Sequence, residues 1–379
     1  LVAWLTASGA LEPAWEQAFQ AMPRDAFAPD VIWVGAADEP SRLLPCHRHA
    51  EPDRWADQVF ANSDVTTQVD DGDAPGPAGG SRATSGLSAP ELVANMLGQL
   101  DARPGLRCLE IGTGSGWNAA LLAARLGERN VVSVEVDPEV AERARANLRG
   151  AGVMPLVVTG DGQDGHREGA PYDRVIATCG VRRVPYAWVE QTRPGGVLLF
   201  PLTSDWHPGG YLVRMRVDAD GVGIGRFGMG VDFMTLRAQR GRPRDRAKLT
   251  QRQASVAHSV TELDPCLLGE QRVLFLLMPV LTPGVAASFD EEAQELHLAA
   301  WPDGPGEQSS AVVRDEHEED GFPVVQSGPR RLWDETVEAW RWWNEAGRPG
   351  PEQFGLTVAS PTEQHLWLDS PDGRCWPLA

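Results

Sequence analysis

LEIGTGSGWN, residues 109–118, is the stretch on which the fold turns. The apolar run 106–111 predicts a short buried strand, and Trp117–Leu126 predicts a helix, with three glycines between them. A strand that ends in a glycine turn and opens a helix is a cradle for a nucleotide. Backbone N–H groups at the helix start face the ligand, and glycine lets the backbone come close to it. The glycines here are Gly112, Gly114 and Gly116. The dinucleotide pattern GxGxxG needs glycine at 117, where Trp117 stands, and this lowers the case for NAD.

Helix and strand signals alternate on both sides of this loop, from residue 91 to 202. Residues 131–136 are a β-branched run and 138–149 are helical. Residues 156–159, 174–178 and 197–202 are further strands. Alternation of this kind predicts an α/β fold, a parallel sheet with helices on both faces. Glu135 ends the second strand, where a carboxylate accepts from both ribose hydroxyls. Asp161, in TGDGQDG, ends the third, where it accepts from an adenine amino group. Glycine loop and two acidic strand ends, in that order, suit an adenosyl ligand without pyrophosphate. That ligand is S-adenosylmethionine, with S-adenosylhomocysteine as product. The competing reading makes the glycines plain turns and both acids helix caps. Glu110 has two readings: it holds the ribose or amino side of the cofactor, or it accepts from the loop's own N–H groups.

Upstream stands TSGLSAPELVANML, residues 84–97. Ser88-Ala89-Pro90-Glu91 has the form of a capping box, with proline in the first turn. The spacing predicts that Ser88 accepts from the N–H of Glu91. A hydroxyl that accepts still has a proton to donate. At a helix start, among free N–H groups, it can also orient a carboxylate.

Several segments in order resemble the protein-L-isoaspartate O-methyltransferase family. They are MPRDAFAP (22–29), LSAPELVANML (87–97), LEIGTGSGWNAALLA (109–123), GDGQDGHREGAPYDRVIATCGVRRVP (160–185), QTRPGGVLLFPL (191–202) and DFMTLR (232–237). The resemblance covers roughly residues 20–240. It implies a Rossmann-like S-adenosylmethionine-dependent methyltransferase sheet and methylation of an isoaspartyl carboxylate. The family's catalytic serine falls on Ser88, as orienter rather than covalent nucleophile. Its cofactor contacts fall on Gly112, Thr113, Gly114, Ser115 and Gly116, on Glu135 with Val136, and on Asp161 with Gly162, beside Glu110. Ser85, Gly86, Leu87, Thr178 and Arg237 are the candidate acceptor-side residues. This sequence departs from the family's usual pattern after the SAP turn (Glu91, Leu92, Val93), at Thr178-Cys179-Gly180 and at Thr235.

VTTQVDDG (65–72), the glycine-rich loop and the tail WRWWNEAGRPGPEQFGLTV…HLWLDSP are similar to an actinobacterial branch. That branch is associated with ribosomally made, modified peptides of the lanthipeptide and graspetide type. This resemblance implies an aspartate acceptor in a cross-linked precursor peptide. The ester then closes to a succinimide (aspartimide), which can open to isoaspartate. A general isoaspartyl repair enzyme is the alternative, and a non-catalytic peptide-binding scaffold is the reading from another class.

Bulk properties bound these readings. The chain has 379 residues, which predicts two domains. Residues 1–240 read as the methyltransferase domain, opened by helix over 1–33. Residues 241–379 read as an accessory α+β domain with a candidate peptide-recognising role. In it the polar segment 241–253 is a connector, 315–320 an acidic surface run, and 333–343 a tryptophan-rich helix whose default role is packing. The last strands are 354–358 and 365–368. Net charge is −19, which opposes a nucleic-acid partner and suits a cationic peptide segment. ATCG at 177–180 also lacks the motif that holds an exocyclic base amine. No run of eighteen apolar residues exists, so no membrane span is expected. The N-terminus has no basic leader, and five scattered cysteines without a CxxC pair fit reduced thiols, so a cytoplasmic protein is expected. Cys46-His47-Arg48-His49 invites a metal, but no further ligands are evident and a surface loop is the simpler reading. Arg182 and Arg183 lie in a segment expected to border the site.

Overall fold

The computed structural model describes the chain except residues 38, 40–41, 74–78, 208, 242–255, 302–306, 319 and 379. The expected connector at 241–253 and the loop at 303–306 therefore fall largely outside the described residues.

The N-terminus is two helices, α1 (Val2–Ala7) and α2 (Pro13–Ala21), and a 3-10 turn, Arg24–Phe27. A helix over the whole of 1–33 does not form. Pro13, Pro23 and Pro29 divide it, because proline removes an N–H and restricts the residue before it. Val31-Ile32-Trp33 then opens a strand, as β-branched and aromatic residues favour. The first sheet is antiparallel, in the order β2-β1-β3-β4. Its strands are β1 (Val31–Gly35), β2 (Leu43–His47), β3 (Val65–Val69) and β4 (Ala83–Leu87). Helix α3 (Pro52–Phe60) lies between β2 and β3, and α4 (Pro90–Leu100) follows β4.

The alternating region forms as its pattern requires. Strands β5 (Cys108–Ile111), β6 (Val131–Glu135), β7 (Leu156–Thr159), β8 (Tyr172–Ala177) and β9 (Thr192–Leu202) are parallel, in the order β7-β6-β5-β8-β9. Helices α5 (Trp117–Leu126), α6 (Pro138–Gly150) and α7 (Tyr186–Glu190) connect them. All four residues of β5 are buried, as expected for a strand covered on both faces. The chain reverses direction across the sheet at β5, so the crevice at its carboxyl end is the expected ligand position. The glycine loop lies there.

Antiparallel β10 (Gly209–Val217) and β11 (Gly223–Asp232) continue the sheet. The segment after 240 divides between two sheets. Strands β12 (Val256–Thr261), β13 (Val285–Asp290), β14 (Glu295–Ala300), β15 (Ser309–Arg314) and β16 (Phe322–Ser327) form a five-stranded antiparallel sheet. Helices α8 (Cys266–Glu270), α9 (Leu274–Leu281) and α10 (Leu332–Glu345) belong to this segment. The chain then returns. Strand β17 (Phe354–Val358) pairs with β11, from Gly223↔Val358 to Arg226↔Gly355, and β18 (Gln364–Leu368) and β19 (Cys375–Pro377) follow. This pairing covers an edge that β11 would otherwise leave open. One apolar core runs from Leu198 and Val213 of the central sheet to Leu277, Leu298 and Val313 of the second. Trp333 and Trp343 are buried in it. No helix among the described residues is long and apolar enough to cross a membrane.

Candidate active site

A cavity of about 920 Å³ opens at the carboxyl end of β5, within the range for an organic cofactor and part of a second substrate. Its lining includes the glycine loop, the β4–α4 turn with Ser88, the end of β6 and most of residues 229–240.

The loop glycines are required by geometry. Gly112 has φ +92°, and a Cβ there would lie 2.8 Å from Thr178 Oγ1. Gly114 has φ +54°, and its Cβ would come within 3.2 Å of the Gly86 carbonyl oxygen. A side chain at either position would push the loop off its neighbours. The Gly114 N–H donates to Glu135 Oε2 at 2.9 Å, and the Asp137 N–H donates to Oε1 at 3.1 Å. Glu135 lines the cavity and keeps acceptor capacity on both oxygens beyond these bonds. Burial raises its pKa above the ordinary value, against the pull of those two N–H groups. Val136, Gly162 and Leu236 add apolar and backbone wall at this end. The Gly112 and Gly116 N–H groups donate to the carbonyls of Val134 and Thr113, each at 2.9 Å, so the loop offers a close backbone approach rather than free donors. That approach, the acceptor at Glu135 and this wall fit the adenosyl group of S-adenosylmethionine.

Glu110 lies behind the loop. It is fully buried and does not line the cavity. Asn118 Nδ2 donates to its Oε1 at 2.7 Å, Ser133 Oγ donates to Oε2, and Ser133 Oγ also meets Thr113 Oγ1 at 2.6 Å. Neither sequence reading of Glu110 describes this arrangement, since its partners are side chains rather than ligand or loop N–H groups. Burial pushes its pKa up to about 7, against the Ser133 and Asn118 hydrogen bonds, with nearby Glu135 adding to the rise. Asp161 accepts from the Gln163 N–H at 2.9 Å and so caps the short turn Gly162–Asp164, and its side chain is not in the cavity wall. Ser115 supplies its carbonyl to Asn147 at 2.9 Å.

On the acceptor side the expected capping box does not form. Helix α4 has Ala89 as N-cap and no side-chain cap from it. The Glu91 N–H donates instead to Asn62 Oδ1, at 3.1 Å. The Ser88 hydroxyl lines the cavity and makes no hydrogen bond among the described residues. Pro90 and Ala89 set the entry to the helix, and a tertiary neighbour takes the N–H that Ser88 was expected to serve. Ser85, Gly86 and Leu87 line the same end, with Ser85 Oγ accepting from Thr67 Oγ1 at 3.3 Å. Thr178 donates its proton to the Gly112 carbonyl at 2.6 Å, so it supports the loop.

Arg237 is engaged within the protein. Its Nη2 meets Asp71 at 3.0 Å and Asp137 at 3.2 Å. Asp71 also binds Arg240 at 2.6 Å and Arg82 at 3.0 Å. Burial disfavours the charge on Asp71, but the Arg240 hydrogen bond and the charges of Arg240, Arg237 and Arg82 outweigh it and hold its pKa below the ordinary value. This carboxylate joins the two walls of the cavity mouth. Arg182 pairs with Asp205 at 2.9 Å, and Arg183 holds the carbonyls of Pro361 and Leu378. Asn62, Asp71, Arg82 and Arg240 had no signal in the sequence; each acts through a partner distant along the chain. The Cys46–His49 segment is not wholly the expected surface loop: Cys46 and His47 end β2 and Cys46 is buried, where it pairs with β1, and among the described residues the segment gathers no metal ligands. Among the described residues the one cluster with metal-ligand spacing is Asp264, Cys266 and Asp315, far from this chemistry in sequence.

The model of the family described as Protein-L-isoaspartate(D-aspartate) O-methyltransferase (PCMT) matches residues 67–241. A protein-L-isoaspartate O-methyltransferase of Pyrococcus horikoshii is 43% identical over 157 residues, covering 41% of this chain and 70% of the relative. One from Thermococcus onnurineus is 44% identical over 158 residues, with 41% and 70% covered. A solved protein-L-isoaspartate O-methyltransferase has a TM-score of 0.55 at 21% identity, over 97% of this chain and 99% of its own. That likeness concerns the fold, and it extends through the second sheet. With a relative matched at this identity over more than two thirds of its length, the chain belongs to the protein-L-isoaspartate O-methyltransferase family of S-adenosylmethionine-dependent carboxyl O-methyltransferases.

Proposed function

We propose that this chain methylates the isoaspartyl carboxylate of peptides and proteins, with Ser88 as the residue that orients the acceptor. The observation that carries the reading is the Ser88 hydroxyl, free of any cap and set in the same cavity as the glycine loop. The cofactor supplies an electrophilic sulfonium methyl group. The acceptor carboxylate is ionised at neutral pH and needs no general base. It is a weak nucleophile that must lose water and be aligned. Ser88 Oγ–H donates to one carboxylate oxygen and leaves the other to react. Gly112–Gly116 and Glu135 would hold the cofactor's methionine and ribose parts, and Gly162 would border the adenine. The resulting ester is attacked by the following backbone nitrogen, giving a succinimide and releasing methanol.

A second reading takes a dedicated precursor peptide as acceptor, with an ordinary aspartate as the modified residue. It treats 241–379 as an accessory region for peptide recognition. Arg272, just before α9, favours it: its Nη2 reaches the Val231 carbonyl at 3.2 Å and the Asp232 carboxylate, on the cavity rim. The second region is thus tied to the lip over which a peptide would enter. The solved relative's full-length likeness gives such a region to another fold of this kind, so its presence alone does not favour a dedicated substrate.

The test is mass spectrometry after incubation with S-adenosylmethionine and an isoaspartyl peptide beside its aspartyl twin. Methyl gain on the isoaspartyl peptide alone supports the first reading. No gain on either peptide, with S-adenosylhomocysteine binding shown separately, removes it and leaves the dedicated acceptor.

A further inference from the structure

Arg24 lies under the Ser88 turn and is 2% exposed. Its Nη1 donates to the carbonyls of Val59 at 2.6 Å and Ala61 at 3.1 Å. Its Nη2 donates to Ser63 at 2.7 Å, Leu87 at 3.4 Å and Ser88 at 3.2 Å. Among the described residues no carboxylate bonds to it, and Nε has no partner. Carbonyl oxygens satisfy hydrogen bonds but carry no net charge, so the guanidinium keeps its positive charge. Burial lowers its pKa to about 10, with the charge of Asp64 opposing, and it stays protonated at neutral pH. Asp64 is exposed and lines the same cavity, and one step beyond the register Val65↔Leu87 it stands across from Ser88. Water screens Asp64, while the guanidinium lies in the low-dielectric interior, where a charge reaches further. The Trp117 ring, 5.7 Å from the guanidinium carbon, closes the other side and lines the cavity.

A cation near Ser88 would draw an acceptor carboxylate to that hydroxyl. The arginines in the cavity wall are held elsewhere: Arg82, Arg237 and Arg240 all bind Asp71 and Arg237 also binds Asp137, which fixes their guanidinium groups in that cluster although it keeps a net positive charge. We propose that Arg24 is the positioning residue of the acceptor side: its buried charge, hydrogen-bonded to no carboxylate among the described residues, draws the acceptor carboxylate to the Ser88 turn, and its fork holds that turn against residues 59–63. This rests on the reading of Ser88 as the group that orients the acceptor.

The experiment compares Arg24→Gln, which removes the charge, with Arg24→Lys, which keeps it and loses the fork. Initial rates are measured with an isoaspartyl peptide, S-adenosylhomocysteine affinity by calorimetry, and folding by thermal melting. With cofactor affinity held within about twofold, Arg24→Gln raises the acceptor KM about tenfold, whereas Arg24→Lys stays within about threefold in KM and loses kcat. An unchanged KM in the Gln variant overturns the proposal. So does a KM rise in the Lys variant as large as in the Gln variant, which marks a purely structural role. If the Gln variant does not melt cooperatively, the Lys variant decides by itself: a tenfold KM rise, roughly, overturns the proposal and near-native KM supports it. Ser88→Ala, assayed alongside, separates the two readings. Full turnover there removes the role of Ser88, while an inactive Ser88→Ala beside a native-like Arg24→Gln removes that of Arg24 alone.

Discussion

Asn62 and Glu91 are joined by two hydrogen bonds: the Glu91 N–H donates to Asn62 Oδ1 at 3.1 Å, and Asn62 Nδ2 donates to the Glu91 carboxylate at 2.7 Å. The start of α4 is therefore capped from the segment before β3. Ser88, three residues before Glu91, is released from that task. Asn62→Ala is expected to cost about 1 kcal/mol of stability, the usual value of a lost cap. Ser88→Ala is expected to leave the melting temperature unchanged and to lower turnover about a hundredfold, with cofactor affinity retained. Melting curves and initial rates on both variants check this. A Ser88→Ala protein that loses stability and activity together would return Ser88 to a capping role.

Asp161 follows β7 and caps the turn that begins at Gly162, which lines the cavity. Asp161→Ala is expected to weaken S-adenosylhomocysteine binding about tenfold, through loss of the cap that holds the turn at Gly162. Calorimetry measures it. An unaltered dissociation constant would mean that the Asp161 cap does not shape the pocket wall at Gly162.

Glu110 gives the fold a pH dependence with a definite sign. Its pKa is raised in the folded protein from 4.5 to about 7, chiefly by burial. The folded state then binds the proton more tightly than the unfolded chain. Its contribution is full below about pH 4.5 and is lost as pH rises through 7, a change of up to roughly 3 kcal/mol. Glu110→Gln stays neutral throughout. The difference in stability between native protein and variant should therefore move in the variant's favour from pH 5 to pH 8, read by denaturant melts across that range. A constant difference would place the carboxyl at an ordinary pKa.

Asp71 holds Arg82, Arg237 and Arg240 across the cavity mouth, and it does so with backbone φ +56°, an uncommon conformation for a residue with a side chain. Asp71→Ala is expected to speed release of S-adenosylhomocysteine about three- to tenfold, since the two walls are no longer joined. High salt should accelerate release from the native protein and have less effect on the variant. Stopped-flow displacement at two salt concentrations reads both. Equal rates in native protein and variant would mean that the walls open independently of this carboxylate.

Much of the fold was legible because it rests on local periodicity. Trp117–Leu126 and Leu156–Thr159 form with the expected bounds, and β5, β6, β8 and β9 differ from expectation by a few residues at their ends. The glycine turn was legible for a related reason: positive φ and close backbone approach leave no other residue type at Gly112 and Gly114. Ser88 was also found by its motif, but its partner was misassigned. S-x-x-E states which bond is locally available and carries no information on a competing Asn62 folded against it.

The sequence by itself thus determined the α/β order of elements, the glycine cradle and the positions of Ser88 and Glu135, since each depends on residues close along the chain. Tertiary structure alone decided that Asn62 caps α4, that Glu110 is buried among Asn118 and Ser133, and that Asp71 gathers three arginines. It also decided that β17 closes the edge of β11 instead of joining the five-stranded sheet. Those are choices between partners of equal local fitness, and only the packing that brings distant segments together, with the cost of leaving a buried charge or N–H unmatched, selects one of them.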